Sequence, residues 1–195
     1  MRGTRSSSLL IIAVWTLLVG MGIVWMTDYS SRPGQSAISP GHIPTSIFGA
    51  FRTSRPTLLI FLHPQCPCSR ATIAELARIT ADNPGLAEFR VFFYQPSGQP
   101  REWAAMGLWH TAMENPDVKV SAISVEQLKE FDAVTSGQAL LYDAKGDLVF
   151  SGGITPGRGH EGDNAGRESI DSYLKTGKTT VSETLVFGCS LSTAD

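Results

Sequence analysis

The chain has 195 residues, 42% of them apolar and 17% charged, with a formal net charge of -2 at pH 7. That balance suits one globular domain with an appendage, and a net charge near zero gives no pointer to nucleic acid as a partner. There is no internal repeat and no long run of like charge.

The appendage comes first. Arg2 and Arg5 precede Leu9 to Met26, a run without a charged residue. A bilayer core needs about 20 such residues, within a range of about 17–25. Basic residues before the run and Asp28 after it predict a cytoplasmic stretch over 1–8, a transmembrane anchor over 9–26 and an exported remainder. The alternative is a cleaved signal peptide, which would carry a shorter apolar region and a small-residue cleavage site. Gly20-Met21-Gly22 is the nearest such site, and bulky Ile23, Val24 and Trp25 follow it. Either way the domain lies outside the cytoplasm, on the periplasmic side of the membrane, where disulfides persist.

Residues 27–44 are rich in Ser, Pro and Gly and read as a flexible linker, with His42 solvated in it. Ile47, Phe48 and Phe51 open a domain over 45–176. Thr57–Leu62 is a continuous apolar run and predicts a strand buried on both faces. His63-Pro64-Gln65-Cys66-Pro67-Cys68 follows, and Ile73, Leu76, Ala77 and Ile79 are spaced for one helix face. Asp82-Asn83-Pro84-Gly85 stops that helix. Glu88–Gln95 is a β-branched and aromatic strand. Glu102–Met113 reads as one helix, with Trp103 and Trp109 in the core and His110 a packing or surface residue. Val118–Ile123 is a strand, and Ser124 caps a helix over Val125–Val134. Gln138–Tyr142 and Asp147–Gly152 form a hairpin around Asp143-Ala144-Lys145-Gly146. A polar loop, Gly157 to Asn164, leads to a last helix over Ala165–Leu174. A tail over 177–195 carries Cys189. Strand–helix alternation closed by a hairpin and a helix predicts a three-layer α/β/α sandwich with a mixed sheet.

The strand Thr57–Leu62, Cys66 at a helix start and the hairpin around Asp143–Asp147 resemble the thioredoxin-like superfamily. The anchor makes the chain similar to the membrane-bound TlpA/ResA type of bacterial protein. The words FLHPQCPCSR, SGGITPGRGHEGDNAG and a late FGC resemble a smaller bacterial group labelled RedB. The resemblance spans Ile43 to Leu174, with Cys189 added for the narrower group. It implies thiol–disulfide exchange with protein thiols and disulfides as partners. Two departures stand out. The superfamily's Cys-x-x-Cys would place its second cysteine at Ser69, and its proline before the hairpin would fall near Ser136-Gly137, where there is none.

Two readings of the chemistry follow. A helix start offers unpaired N–H groups and the positive end of the dipole, so it favours thiolate over thiol. In the redox reading, Cys66 is the nucleophile, Cys68 resolves the mixed disulfide, and Cys189 is a second resolver if the tail folds back. Pro67, Gly137, His63, His160 and Glu161 surround or tune that site, and no cofactor is needed. In the metal reading, Cys66, Cys68, Cys189 and His63 form a soft ligand set for copper or zinc, with His160 a further candidate. The plain alternative is a structural domain in which cysteines serve as small buried hydrophobes.

Overall fold

The computed structural model describes residues 3–36, 38–44 and 54–191. The sequence expectations on Ile47, Phe48 and Phe51 lie outside them. The described chain divides into two units, 1–32 and 33–195.

The first unit is a single helix, α1 (Gly3–Ser31). Within it, Ser8–Ser31 is long and apolar enough to cross a membrane, and none of that span is buried. The helix therefore extends past Met26 and takes in residues that the sequence assigns to the linker.

The second unit is built on a five-stranded sheet. Its strands are β1 (Thr57–Leu62), β2 (Glu88–Tyr94), β3 (Val118–Ile123), β4 (Gln138–Tyr142) and β5 (Leu148–Gly153). Their order is β3-β2-β1-β4-β5. β1, β2 and β3 are parallel, and β4 runs antiparallel to both β1 and β5. The parallel pairs are joined by helical crossovers, as parallel strands require. These are α2 (Ser69–Asp82) between β1 and β2, and α3 (Arg101–Ala104) with α4 (Gly107–Met113) between β2 and β3. The helix expected over Glu102–Met113 is thus two short helices. Met106 is extended at the break, immediately before Gly107, a poor helix former. Helix α5 (Val125–Glu130) opens on a capping box between Ser124 and Gln127. Helix α6 (Ala165–Thr176) opens on Asn164, whose side chain accepts the Arg167 amide, and ends at left-handed Gly177.

The pleat of β1 divides the core. Leu58, Ile60 and Leu62 face a layer formed by Ile73, Leu76 and Ile79 of α2, Trp109 of α4 and Ile170 of α6. Leu59 and Phe61 face the other way, onto Leu128, Phe131 and Tyr142. With apolar packing on both faces, β1 can be apolar at every position, as its sequence shows. The result is the expected three-layer sandwich around a mixed sheet.

The segment after α1 differs from a free linker. Gly34 donates to the Val186 carbonyl at 2.8 Å, Ile38 to the Asp132 carboxylate at 2.7 Å, and Ile43 to the Gly146 carbonyl at 2.9 Å. Tyr142 donates to the Pro40 carbonyl at 3.1 Å, and His42 pairs with Asp147 at 3.1 Å. Its Pro and Gly content gives an extended strap rather than a loose spacer. The tail is also attached. Ser182 and Thr184 bond to Ser151 at the outer edge of β5, so the edge's polar groups are covered. Gly152 and Gly153 make this possible, since a Cβ on either would run into the backbone of Thr184 or Leu185.

A buried acid holds α2, α6 and the polar loop together. Glu75 is 0% exposed, pairs with Arg78 and with Arg167 (3.0 Å), and accepts the Gly162 amide at 2.8 Å. Glu75→Ala removes all three partnerships at once. Both arginines are partly hydrated, so the expected loss is about 3 kcal/mol, the low end for a broken buried pair. The check is a chemical denaturation midpoint that falls at unchanged slope.

Candidate active site

The site forms where the central strand β1 ends beside the beginning of antiparallel β4. The chain leaves β1 at His63, turns through Pro64-Gln65, and enters α2 with Cys68 in the N-cap position. The Cys66 amide donates to the His63 carbonyl at 3.1 Å, and the Ser69 amide donates to the Cys66 carbonyl at 3.0 Å. Cys66 and Cys68 therefore sit at the helix start, as their sequence position predicts.

Cys189 arrives from the opposite end of the chain. The Ser136 amide donates to the Cys189 carbonyl at 2.8 Å, and the Leu191 amide donates to the Val134 carbonyl at 2.8 Å. Arg158 donates to the Gly188 carbonyl at 2.6 Å. The Cys66 and Cys189 sulfurs are 2.8 Å apart, and all three cysteines are free. The three sulfurs all lie within 4.8 Å of one another. Among the described residues they form a group that could hold a soft metal ion, and neither His63 nor His160 belongs to it.

Their electrostatics are unequal. The thiol of Cys68 donates to the Cys66 sulfur, and this is the largest influence on it; burial opposes it. The thiol of Cys189 and the amides of Cys189 and Cys68 add further donors. Together they pull Cys66 down from an ordinary 9.0 to about 4. Cys68 is held far above the usual thiol range, first because it donates to Cys66 and then because it is buried. Burial, followed by its own bond to Cys66, pushes Cys189 up to about 11. Three sulfurs this close cannot all ionise, so the cluster holds one thiolate, centred on Cys66.

The remaining candidates are placed as follows. His63 accepts the Gln65 amide at 3.2 Å and packs on Trp103 and Tyr94, with ring centroids 5.6 and 5.8 Å away. Burial lowers its pKa, and the Cys66 charge partly restores it. Pro67 is exposed between the two cysteines. Gly137, at φ +96°, immediately precedes β4 and donates to the Phe61 carbonyl at 2.8 Å. His160 and Glu161 have partners elsewhere. His160 bonds the Arg158 carbonyl at 2.8 Å, and Glu161 pairs with Arg78 at 3.0 Å. Of that loop it is Arg158 that reaches the site, through Gly188.

Two residues were missed by the sequence reading. Ser136 and Ser69 are both 1% exposed. The Ser136 hydroxyl accepts the His63 amide at 2.9 Å and shares a bond of 2.9 Å with the Ser69 hydroxyl. Ser69 also donates to the His63 carbonyl at 3.1 Å. The signal available was positional: Ser69 and Ser136 occupy the places where the resemblance puts a second cysteine and a proline.

A five-stranded mixed sheet between helical layers, with the site at the end of its central strand, has counterparts among solved structures. An uncharacterized conserved protein from Geobacillus kaustophilus matches at a TM-score of 0.58 and 18% identity, over 83% of this chain and 92% of its own. A hypothetical protein from Sinorhizobium meliloti 1021 matches at 0.53 and 19%, over 82% and 93%. The fold is thioredoxin-like. A secreted disulfide oxidoreductase of Mycobacterium tuberculosis matches this thioredoxin-like domain over 51% of the chain and 70% of its own, at 18% identity and a TM-score of 0.38, too slight to carry an argument. No family model matches the sequence, and no curated protein matches it significantly.

The thiolate has a measurable signature. Reduced protein should show one thiolate per chain by ultraviolet absorbance near neutral pH, disappearing as pH falls toward about 4. The signal should vanish in Cys66→Ser, and in Cys68→Ser its midpoint should rise. Because this pKa is lowered by folding, the associated stability is complete above about 9 and is lost as pH falls through about 4. The raised Cys68 and Cys189 act oppositely, so stability of the reduced form declines again above the ordinary thiol value of 9.0.

Docking of the tail has its own test. A Cβ at Gly188 would collide with the Ser136 carbonyl. Gly188→Ala is expected to lift the tail, so that the Leu191 amide exchanges hydrogen faster while the β1 amides keep their protection.

Proposed function

We propose that this thioredoxin-like domain is a thiol–disulfide oxidoreductase whose redox pair is Cys66 and Cys189, with Cys68 as the third thiol that stabilises the Cys66 thiolate. The observation that carries this reading is the contact of 2.8 Å between two free sulfurs brought together from distant parts of the chain. The alternative bridge, Cys66 to Cys68, would close a ring too small to be unstrained. The thiolate needed for exchange is supplied by donors already in place around Cys66. Protein thiols and disulfides are the partners. We further propose that α1 anchors the domain on the extracytoplasmic side, where such chemistry persists. This rests on the apolar span Ser8–Ser31 and on Arg2 and Arg5 ahead of that span.

Mild oxidation of metal-free protein should remove two free thiols, restored by dithiothreitol. Peptide mapping should link Cys66 to Cys189. Cys66→Ser and Cys189→Ser should each abolish the link, and Cys68→Ser should retain it. A Cys66–Cys68 link would reassign the pair. If all three thiols stay free under oxidant while Cu(I) or Zn(II) binds one-to-one, the redox reading fails and the metal reading replaces it.

A further inference from the structure

The two cysteines of the pair are not equally exposed. Cys66 is 2% exposed, with the Cys189 sulfur of the tail against it and Ser69 at the start of α2 bonded to its carbonyl. Cys189 is half-buried and forms part of the wall of an open cleft of about 500 Å³. Pro33, Gly34 and Gln35 of the strap form one side, and Thr135, Arg158 and Gly188 line the rest. Cys66 does not line this cleft. The volume lies in the range of clefts that take a small ligand, room for a cysteine side chain and its immediate backbone. The walls are fixed rather than loose. Gly34 bonds Val186 at 2.8 Å, the Thr135 hydroxyl bonds the Gln35 carbonyl at 3.0 Å, and Arg158 bonds Gly188 at 2.6 Å.

Building on the pairing of Cys66 with Cys189, we propose that Cys189 is the sulfur that meets the partner, and that Cys66 is the resolving cysteine. The ligand class is a cysteine carried on a peptide, entering between the strap and the tail. Exchange requires the attacking sulfur to approach in line with the bond that breaks. Cys189 lines the cleft and Cys66 does not, so the proposed approach of a partner thiolate is through the cleft onto Cys189. The leaving sulfur is then Cys66, whose surrounding donors already stabilise a thiolate, and exchange is fastest when the sulfur that leaves does so as a stable thiolate.

The chemistry balances in two steps. The partner thiolate forms a bond to the Cys189 sulfur as the Cys66–Cys189 bond breaks, and Cys66 departs with the electron pair. The partner's second thiolate then attacks its own sulfur in the mixed disulfide, and the bond to Cys189 breaks. Cys189 takes up one of the partner's two protons and the other goes to solvent. The partner dithiol is oxidised and the protein disulfide is reduced by two electrons. Reduction of a partner disulfide is the reverse, with Cys66 attacking Cys189 in its last step.

The test uses the wild-type full chain, so that no variant need fold. Oxidised protein is mixed with glutathione, quenched in acid within the first turnover, and mapped. Glutathione is expected on Cys189 in at least about tenfold excess over Cys66. A second measurement uses chains with one cysteine left, Cys66→Ser/Cys68→Ser and Cys68→Ser/Cys189→Ser, treated with glutathione disulfide. With Cys68 and Cys189 replaced, Cys66 loses the thiols that stabilise its thiolate, so access decides, and the chain retaining Cys189 should form its mixed disulfide at least about tenfold faster than the chain retaining Cys66. Glutathione mainly on Cys66, or equal rates, overturns the assignment even where the Cys66–Cys189 link is found. Absence of that link in oxidised wild type is the separate failure of the pairing itself.

Discussion

Ser136 is the residue through which the site holds together. Its amide holds the Cys189 carbonyl, and its hydroxyl holds the end of β1 through the His63 amide and the start of α2 through Ser69. Its neighbour Gly137 donates to Phe61 and so sets the register of β4 against β1. Three stretches remote in sequence, the β1–α2 corner, the segment entering β4 and the tail, meet on two adjacent residues. Because Ser136 and Ser69 are buried, each lost bond would strand a polar group out of water, and that penalty exceeds the net worth of the bond itself. The arrangement is therefore held from several sides, which keeps the sulfurs in one geometry.

The strap and the tail extend this logic to the edge of the sheet. A bare β5 would present unpaired backbone groups. The tail covers them through Ser151 and then continues past Val186, where the strap joins it, to Gly188 and Cys189. The covering of a sheet edge and the delivery of a sulfur are thus one structural device. Gly152, Gly153 and Gly188 permit it, each at a place where a side chain would strike backbone. Arg158 adds a third hold on the tail at Gly188, and its charge lies beside Cys68 and Cys189, where it favours ionisation of either.

The sheet, its layers and the position of Cys66 and Cys68 were legible in the sequence, because they depend on local period and on short-range stop signals. The all-apolar β1 and the capping residue Ser124 are of this kind. What was not legible depends on contacts across the chain. Nothing near Cys189 says that it will lie beside Cys66, 123 positions away. A Ser-, Pro- and Gly-rich strap has the composition of a linker whether or not a partner surface exists for it. Glu75 lies mid-way along α2 and reads as an ordinary helical carboxylate, yet it is buried because Arg167 and Gly162 come to it from a distant part of the chain. Likewise the ionisable density of the 157–164 loop serves the fold through Glu161 and Arg78, and only Arg158 turns toward the sulfurs.

The proposed pairing places the redox poise under two opposed influences. A Cys66–Cys189 bridge would close a loop of 123 positions, and a cross-link of that span removes roughly 5 kcal/mol of freedom from the unfolded chain. By linkage the folded domain favours the bridge to the same extent, which makes the pair harder to reduce. The donors around Cys66 act the other way, since a stabilised thiolate favours the reduced state and makes the pair more oxidising. A Cys66–Cys68 bridge would feel only the second influence, because its loop is too short to constrain the unfolded chain. The docked tail, rather than the helix start, is then what draws this centre toward a reducing poise. Any change that loosens Gly188 from Ser136 shifts that poise without altering a single residue of the Cys-Pro-Cys segment.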